Sequence, residues 1–148
     1  RLLAETLASF IVASIKKRAQ AHGARIPADA ALLPVPLHPK KERSRGFNQS
    51  ELLATHVAQA LSLPLLATTL LQRSKHTDPQ AKAGGREKRK ENVDHAFAVR
   101  PEHKHHIQDR TIILVDDIAT TGSTLNDAAR ALKEAGAARV WGLVVAKG

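Results

Sequence analysis

The stretch that decides the fold is TIILVDDIATTGST, residues 111–124. Its first part, Thr111–Val115, is uncharged and mostly β-branched, which predicts a strand buried on both faces. This strand delivers two carboxylates, Asp116 and Asp117, to its carboxyl end, and a helix is predicted from Ser123 to Ala135. Because ligands of open α/β sheets bind at the carboxyl ends of strands, the junction is a predicted binding site.

The loop between the strand and the helix has the chemistry of a phosphate site. A helix N-terminus presents N–H groups and the positive end of its dipole to an anion, and Gly122 lets the backbone approach closely. Asp116 and Asp117 would repel a phosphate, so they suit the other end of a sugar phosphate, where they accept hydrogen bonds from ribose hydroxyls. The alternative is an ordinary junction with hydroxyl residues acting as caps. The hydroxyl donors are Thr120, Thr121, Ser123 and Thr124.

Other phosphate motifs do not match this chain. It contains neither G-x-x-x-x-G-K-S/T, the P-loop pattern, nor G-x-G-x-x-G, the dinucleotide pattern. Phosphatases that form an aspartyl-phosphate usually space their two Asp residues by one position. Asp116 and Asp117 are adjacent, with Ile118 next, so that interpretation is weak.

Composition limits the class of protein. The chain has 148 residues, which suits one domain, and its net charge of +9 indicates an anionic partner: nucleic acid, a membrane surface or a polyphosphate metabolite. Cysteine is absent, which excludes disulfides and thiolate zinc sites and fits a cytoplasmic protein. No apolar run is long enough to span a bilayer. Of the three anionic partners we expect a nucleic acid or a phosphorylated metabolite, and no membrane. The basic clusters are Lys40, Lys41, Arg43 and Arg45, then Lys82, Arg86, Lys88, Arg89 and Lys90.

Helical and extended patterns alternate along the chain. This alternation predicts one α/β domain over residues 1–148, a mainly parallel β-sheet flanked by helices, with an N-terminal helix within 1–30 and the core in 31–148. Asn48 is the predicted N-cap of a helix that runs to Leu61, in a capping-box pattern with Glu51. The other predicted helices are Ala4–Gln20 and Arg86–Asn92, and the other predicted strands are Ala31–Leu37, Leu65–Leu71, Ala96–Val99 and Arg139–Ala146. The predicted loops are His38–Gly46 and Arg73–Gly85, and Pro101–Asp109 is predicted as a hairpin or surface loop.

An apolar strand, two acidic residues and a Thr-Thr-Gly-small-Thr loop resemble the signature of type I phosphoribosyltransferases. Four further segments carry a second resemblance: Val35 to Pro39, Arg45 to Ala54, Thr77 to Gln80, and Arg89 to Phe97. Together they cover most of the chain from about Leu32 onward. They resemble one branch of this group, the ComF family associated with competence for DNA uptake.

The resemblance implies a ligand, 5-phosphoribosyl 1-pyrophosphate, and a role for each matching residue. Mg²⁺ is expected as cofactor, bound through the ligand's own oxygens and water rather than by side chains. Many family members carry a zinc-binding module before this domain, so we interpret the chain as a piece of a longer protein. The implied roles are Asp116 and Asp117 for the ribose, Ala119, Thr120, Thr121, Gly122, Ser123 and Thr124 for the 5-phosphate, Leu37, His38 and Lys40 for pyrophosphate, and Arg73, Lys75 and Arg86 for a closing flap.

Three functions remain open at this point. The chain is a phosphoribosyltransferase with an unknown acceptor, a non-catalytic module that senses the ligand, or an accessory protein that binds single-stranded DNA or competence-machinery proteins. The few aromatic residues argue against a large stacking platform. A cluster at His103, His105 and His106 invites a metal interpretation, but alternating Lys favours a solvated surface.

Overall fold

A computed structural model of the chain describes residues 2–23, 25–73, 96–119 and 122–147. The predicted helix Arg86–Asn92 and most of the predicted loop Arg73–Gly85 lie outside these ranges. The helices are α1 (Leu2–His22), α2 (Pro39–Arg45), α3 (Gln49–Leu61) and α4 (Ser123–Glu134). The strands are β1 (Ala31–Pro34), β2 (Leu71–Arg73), β3 (Phe97–Val99), β4 (Thr111–Ala119) and β5 (Arg139–Lys147).

The main sheet is parallel, which confirms the predicted α/β class. Its strand order is β1-β4-β5, and Leu32, Ile113 and Trp141 lie side by side across it. Strands β2 and β3 form a separate antiparallel ribbon in which Arg73 pairs with Phe97. The residues of Thr111–Val115 are buried, as their apolar, β-branched composition predicts.

Side chains alternate between the two faces of the sheet and build two cores. On one face, Leu33, Ile112 and Leu114 pack with α4 and the ribbon. On the other face, Leu32, Ile113 and Val115 pack with α1 and α3. Within the described ranges, no helix is long and apolar enough to cross a membrane.

A buried carboxylate joins α4 to the ribbon. The Asp127 Oδ2 atom accepts the Phe97 N–H at 2.9 Å, and the Asp127 Oδ1 atom accepts the Arg130 Nε at 2.9 Å. Arg130 also donates to the Phe97 carbonyl at 3.0 Å, so both backbone groups of Phe97 are bonded. The Asp127 side chain is only 2% exposed, and removing its partners would leave an unpaired charge in the core.

Three predicted segments differ from the structure. The predicted loop His38–Gly46 contains helix α2, because Pro39 suits the first helical position and Gly46, at φ 73°, ends the helix. Of the predicted strand Leu65–Leu71, Leu65 makes one bridge to Leu32, Thr68–Leu70 form a 3-10 turn, and Leu71 begins β2. A 3-10 helix, Pro101–His106, replaces the predicted hairpin or surface loop, and it begins at the residue whose ring already fixes a helical φ.

Candidate functional site

The carboxyl ends of β1 and β4 lie side by side. The Val35 N–H donates to the Val115 carbonyl at 2.9 Å, so the chain leaves β1 directly beside Asp116. Leu37 and His38 follow before α2 begins, and Lys40 lies in the first turn of that helix. The structure therefore brings the predicted pyrophosphate residues and the acidic pair to one edge of the sheet.

Helix α3 fixes this edge through two buried polar residues. The Asn48 amide donates to the Val35 carbonyl at 3.1 Å, and its Oδ1 accepts the Ser50 N–H at 3.0 Å, which confirms Asn48 as the N-cap. The Ser50 hydroxyl then donates to Asp116 Oδ1 at 3.0 Å. Sequence reasoning did not identify Ser50, because its partner lies 66 residues away and no local pattern links them.

Asp116 is an unusual acid within this site. Partial burial raises the pKa of its carboxyl above the ordinary 3.8, against the opposing hydrogen bonds from Ser50 and from the Asp117 N–H. The neighbouring Asp117 carboxylate adds to the rise. Asp116 Oδ1 accepts both of those bonds, at 3.0 and 2.9 Å, so this oxygen is oriented by the protein itself.

Asp117 faces a different environment from Asp116. It borders a mainly apolar cleft of about 400 Å³ between α1, the start of α3 and the end of β5. The cleft was not predicted, because it joins segments far apart in the chain, including Phe47, which is 48% exposed. Its other lining residues are Leu3, Ala4, Leu7, Gln49, Leu52, Leu53, Val145 and Ala146.

Helix α4 begins at the end of the predicted phosphate loop. Ala119 is the last residue of β4, and Gly122 is the N-cap with φ 76°, a left-handed conformation that favours glycine. Gly122 supplies no side-chain cap, and among the described residues a Cβ placed there would meet the Asn126 side chain at 3.9 Å. Ser123 and Thr124 form the start of the helix. The described start of α4 is therefore a left-handed glycine without a side-chain cap of its own.

Several predicted site residues lie outside the described ranges or apart from this edge. Thr120, Thr121, Lys75 and Arg86 fall outside, and their roles stay predictions. Arg73 ends β2, where its guanidinium lies 5.3 Å from the centroid of the Phe97 ring.

The histidine cluster lies on the 3-10 helix Pro101–His106. The rings of His105 and His106 lie 3.9 Å apart, centroid to centroid, in the 3-10 helix. In the part of the chain that the structure describes, no group of three or more His, Asp or Glu side chains is arranged to hold a metal ion.

Comparison with known proteins identifies relatives of this arrangement. The chain is 34% identical over 140 residues to competence protein F of Haemophilus influenzae, and the alignment covers 93% of the chain but 59% of that protein. It is 34% identical over 107 residues to competence protein ComFC of Bacillus subtilis, covering 72% of the chain and 40% of that protein. The chain thus spans little more than half of the first relative. These matches confirm the predicted ComF resemblance.

A solved structure and a family model agree on the fold. The chain resembles a glutamine phosphoribosylpyrophosphate amidotransferase from B. subtilis with a TM-score of 0.56 and 15% identity, over 97% of the chain and 26% of that protein. Residues 48–147 match the model of the phosphoribosyl transferase domain. This match covers α3, the acidic pair and α4, and the chain belongs to the phosphoribosyl transferase domain family.

Proposed function

We propose that this chain binds 5-phosphoribosyl 1-pyrophosphate, or another phosphorylated ribose, at the carboxyl edge of its sheet. The observation that carries the proposal is the arrangement at the end of β4, where Asp116 and Asp117 lie between the exit of β1 and the left-handed Gly122 that opens α4. The two carboxylates accept hydrogen bonds from the ribose hydroxyls. The first turn of α4, with residues from Ala119 to Thr124, holds the 5-phosphate. The pyrophosphate is assigned to the segment that follows β1, with Leu37, His38 and Lys40.

The donor set at this edge fits Mg²⁺ held mainly through the ligand. Mg²⁺ prefers oxygen ligands and keeps several waters, so it does not need a cage of side chains. Asp116 and Asp117 are assigned to the ribose hydroxyls, and one oxygen of Asp116 is already engaged by Ser50. Phosphate oxygens and water would therefore provide the coordination, and the bound ion would neutralise charge on the pyrophosphate.

In a transfer reaction, pyrophosphate leaves from C1 of the ribose while positive charge develops on the ring. The protein's contribution is then positioning and electrostatics. Asp116 and Asp117 hold the ribose hydroxyls and place negative charge near the ring. The Ser50 hydrogen bond keeps Asp116 oriented, so little reorganisation is needed. Candidate cations for the leaving group are Lys40 and Lys41, with Arg73, Lys75 and Arg86 on the proposed flap.

Calorimetry with 5-phosphoribosyl 1-pyrophosphate and Mg²⁺ tests the binding site. We expect the double variant Asp116→Asn with Asp117→Asn to bind at least about a hundredfold more weakly, because two charged acceptors of the ribose hydroxyls become neutral and their hydrogen bonds weaken. Circular dichroism should show an intact fold, and Glu102→Gln on the exposed 3-10 helix is the matched control. Unchanged affinity in the double variant would remove the site assignment.

Pyrophosphate release separates a transferase from a ligand-sensing module. A transferase releases pyrophosphate when the correct acceptor is supplied with the bound ligand. A sensing module binds with the same dependence on Asp116 and Asp117 but releases none across a panel of bases and amines. The proposal of a transferase is abandoned if binding is tight and no acceptor in the panel supports turnover.

Single-stranded DNA binding is the second candidate, and one observation favours it. Lys41, Arg43 and Arg45 lie exposed on α2, next to the exposed ring of Phe47, in a chain of net charge +9. Such a surface gives an affinity that falls steeply with salt. If the double Asp variant retains that affinity, DNA binds independently of the sugar-phosphate site. If DNA affinity is weak at every salt concentration, this candidate is wrong.

A further inference from the structure

A second cavity opens at the amino half of the sheet, away from the acidic pair. It measures about 300 Å³, the lower end of the range for small-molecule sites. Leu32, Ile113 and Trp141, aligned across the three parallel strands, contribute to its lining from the sheet. Ile113 precedes Asp116 by three positions in β4, so the two sites are about 10 Å apart along the strand.

Trp141 lines this cavity and is partly open to solvent. It is the only Trp of the chain and is 40% exposed, on the edge strand of the parallel sheet. The rest of the lining is aliphatic apart from two arginines. A cavity of this kind holds water poorly, and an aromatic ring that stacks on the indole would bury both surfaces.

Two cations mark the rim of the same cavity. Arg18, near the end of α1, and Arg25 both line it and are exposed, and no acidic residue is among its lining residues. A guanidinium binds a carboxylate through two parallel hydrogen bonds and also stacks on aromatic rings. The rim therefore has positive charge available, while the interior offers only hydrocarbon and one indole.

We infer that this cavity binds a small aromatic carboxylate, with its ring against Trp141 and its anionic group on Arg18 and Arg25. Nucleobases are disfavoured, because their polar edges would be buried against an aliphatic wall without hydrogen-bond partners. 5-Phosphoribosyl 1-pyrophosphate is also disfavoured, because it is a polyanion without an apolar body. The site is thus separate from the proposed sugar-phosphate site in both place and chemistry.

The single Trp makes the inference directly measurable. We would titrate the ¹⁵N-labelled chain with 1-naphthoate and follow the one indole N–H resonance, that of Trp141. The uncharged 1-naphthylmethanol serves as the comparison ligand. We expect a saturable shift with naphthoate and at least about tenfold weaker binding of the alcohol, which corresponds to one charged hydrogen bond.

Two variants and one control test the cavity and its rim. Arg18→Gln with Arg25→Gln should bring naphthoate down to the affinity of the alcohol, and Lys17→Gln, exposed on the same helix but outside the cavity, should change little. Ala19→Leu should fill the cavity and abolish binding of both ligands, while binding of 5-phosphoribosyl 1-pyrophosphate stays unchanged.

Any one of the following three results would overturn the inference. Naphthoate leaves the Trp141 resonance in place, or the double Arg variant binds naphthoate as tightly as the unmodified chain, or Ala19→Leu still binds it. An acidic peptide with aromatic residues that shifts Trp141 while naphthoate does not would also reject the small-molecule assignment and indicate a protein partner.

Discussion

The two faces of the parallel sheet are covered in different ways. On the α4 face, a buried carboxylate and a guanidinium bond both backbone groups of Phe97, so helix and ribbon are joined by directional contacts. On the opposite face, α1 meets α3 mainly through apolar residues, and Glu5 approaches His56 only to 4.0 Å. Both cavities described above border α1. The two faces therefore differ: directional contacts fix α4 on one face, while apolar packing on the other face leaves two cavities beside α1.

Among the variants that test this contrast, removal of the buried carboxylate should lower the free energy of unfolding the most. Asp127→Ala removes the buried acceptor of Arg130 and leaves the Phe97 N–H without an acceptor, so we expect a loss of about 4 kcal/mol in the free energy of unfolding. Urea denaturation measures it. Glu134→Gln, which removes the exposed partner of Arg130, should cost below about 1 kcal/mol. Similar losses in the two variants would show that the buried contact adds no special stability.

A pair of matched truncations compares the packing of the two faces. Leu132 on α4 is fully buried, so Leu132→Ala should cost about 3 kcal/mol. Leu61 on α3 is partly buried and already borders the cavity of about 300 Å³, so Leu61→Ala should cost about 1 kcal/mol. The measurement is again urea denaturation, with both variants at one temperature. Equal losses would mean that the two faces are equally well packed.

The smallest effect is expected where the faces meet, at the Ser50 contact with Asp116. Because burial raises the pKa of Asp116 above 3.8, its protonated form favours folding in acid, and that contribution is lost as pH rises through the folded pKa. Asp116→Asn removes this loss and keeps an acceptor for Ser50. The variant should therefore gain stability relative to the unmodified chain between about pH 4 and about pH 7.

Unfolding midpoints at both pH values, with Glu102→Gln as the control, measure the effect. Asp116→Asn should therefore raise relative stability as pH rises, while the same substitution should weaken binding of the sugar phosphate. A variant that loses stability relative to the unmodified chain as pH rises would show that the two hydrogen bonds to Asp116 outweigh its burial.

Local features of the sequence predicted more of this molecule than distant ones. The strand at Thr111–Val115 and the N-cap at Asn48 were predicted because their signals lie within a few residues. Helix α2 was missed because its dense charge was interpreted as a loop. Ser50 and Asp127 were missed because their partners, Asp116 and Phe97, become neighbours only after folding. The sequence indicated the adjacent acids Asp116 and Asp117. It did not indicate that Asp116 would bond Ser50 while Asp117 borders an apolar cleft.

The pairing of Arg73 with Phe97 has a consequence for engineering the chain. These two residues lie opposite each other on adjacent strands, and Asp127 holds the second of them to α4. The entropic cost of closing a chain between two paired positions depends only weakly on the length of the connection. The register of the ribbon can therefore be kept with connections of different length between its two strands.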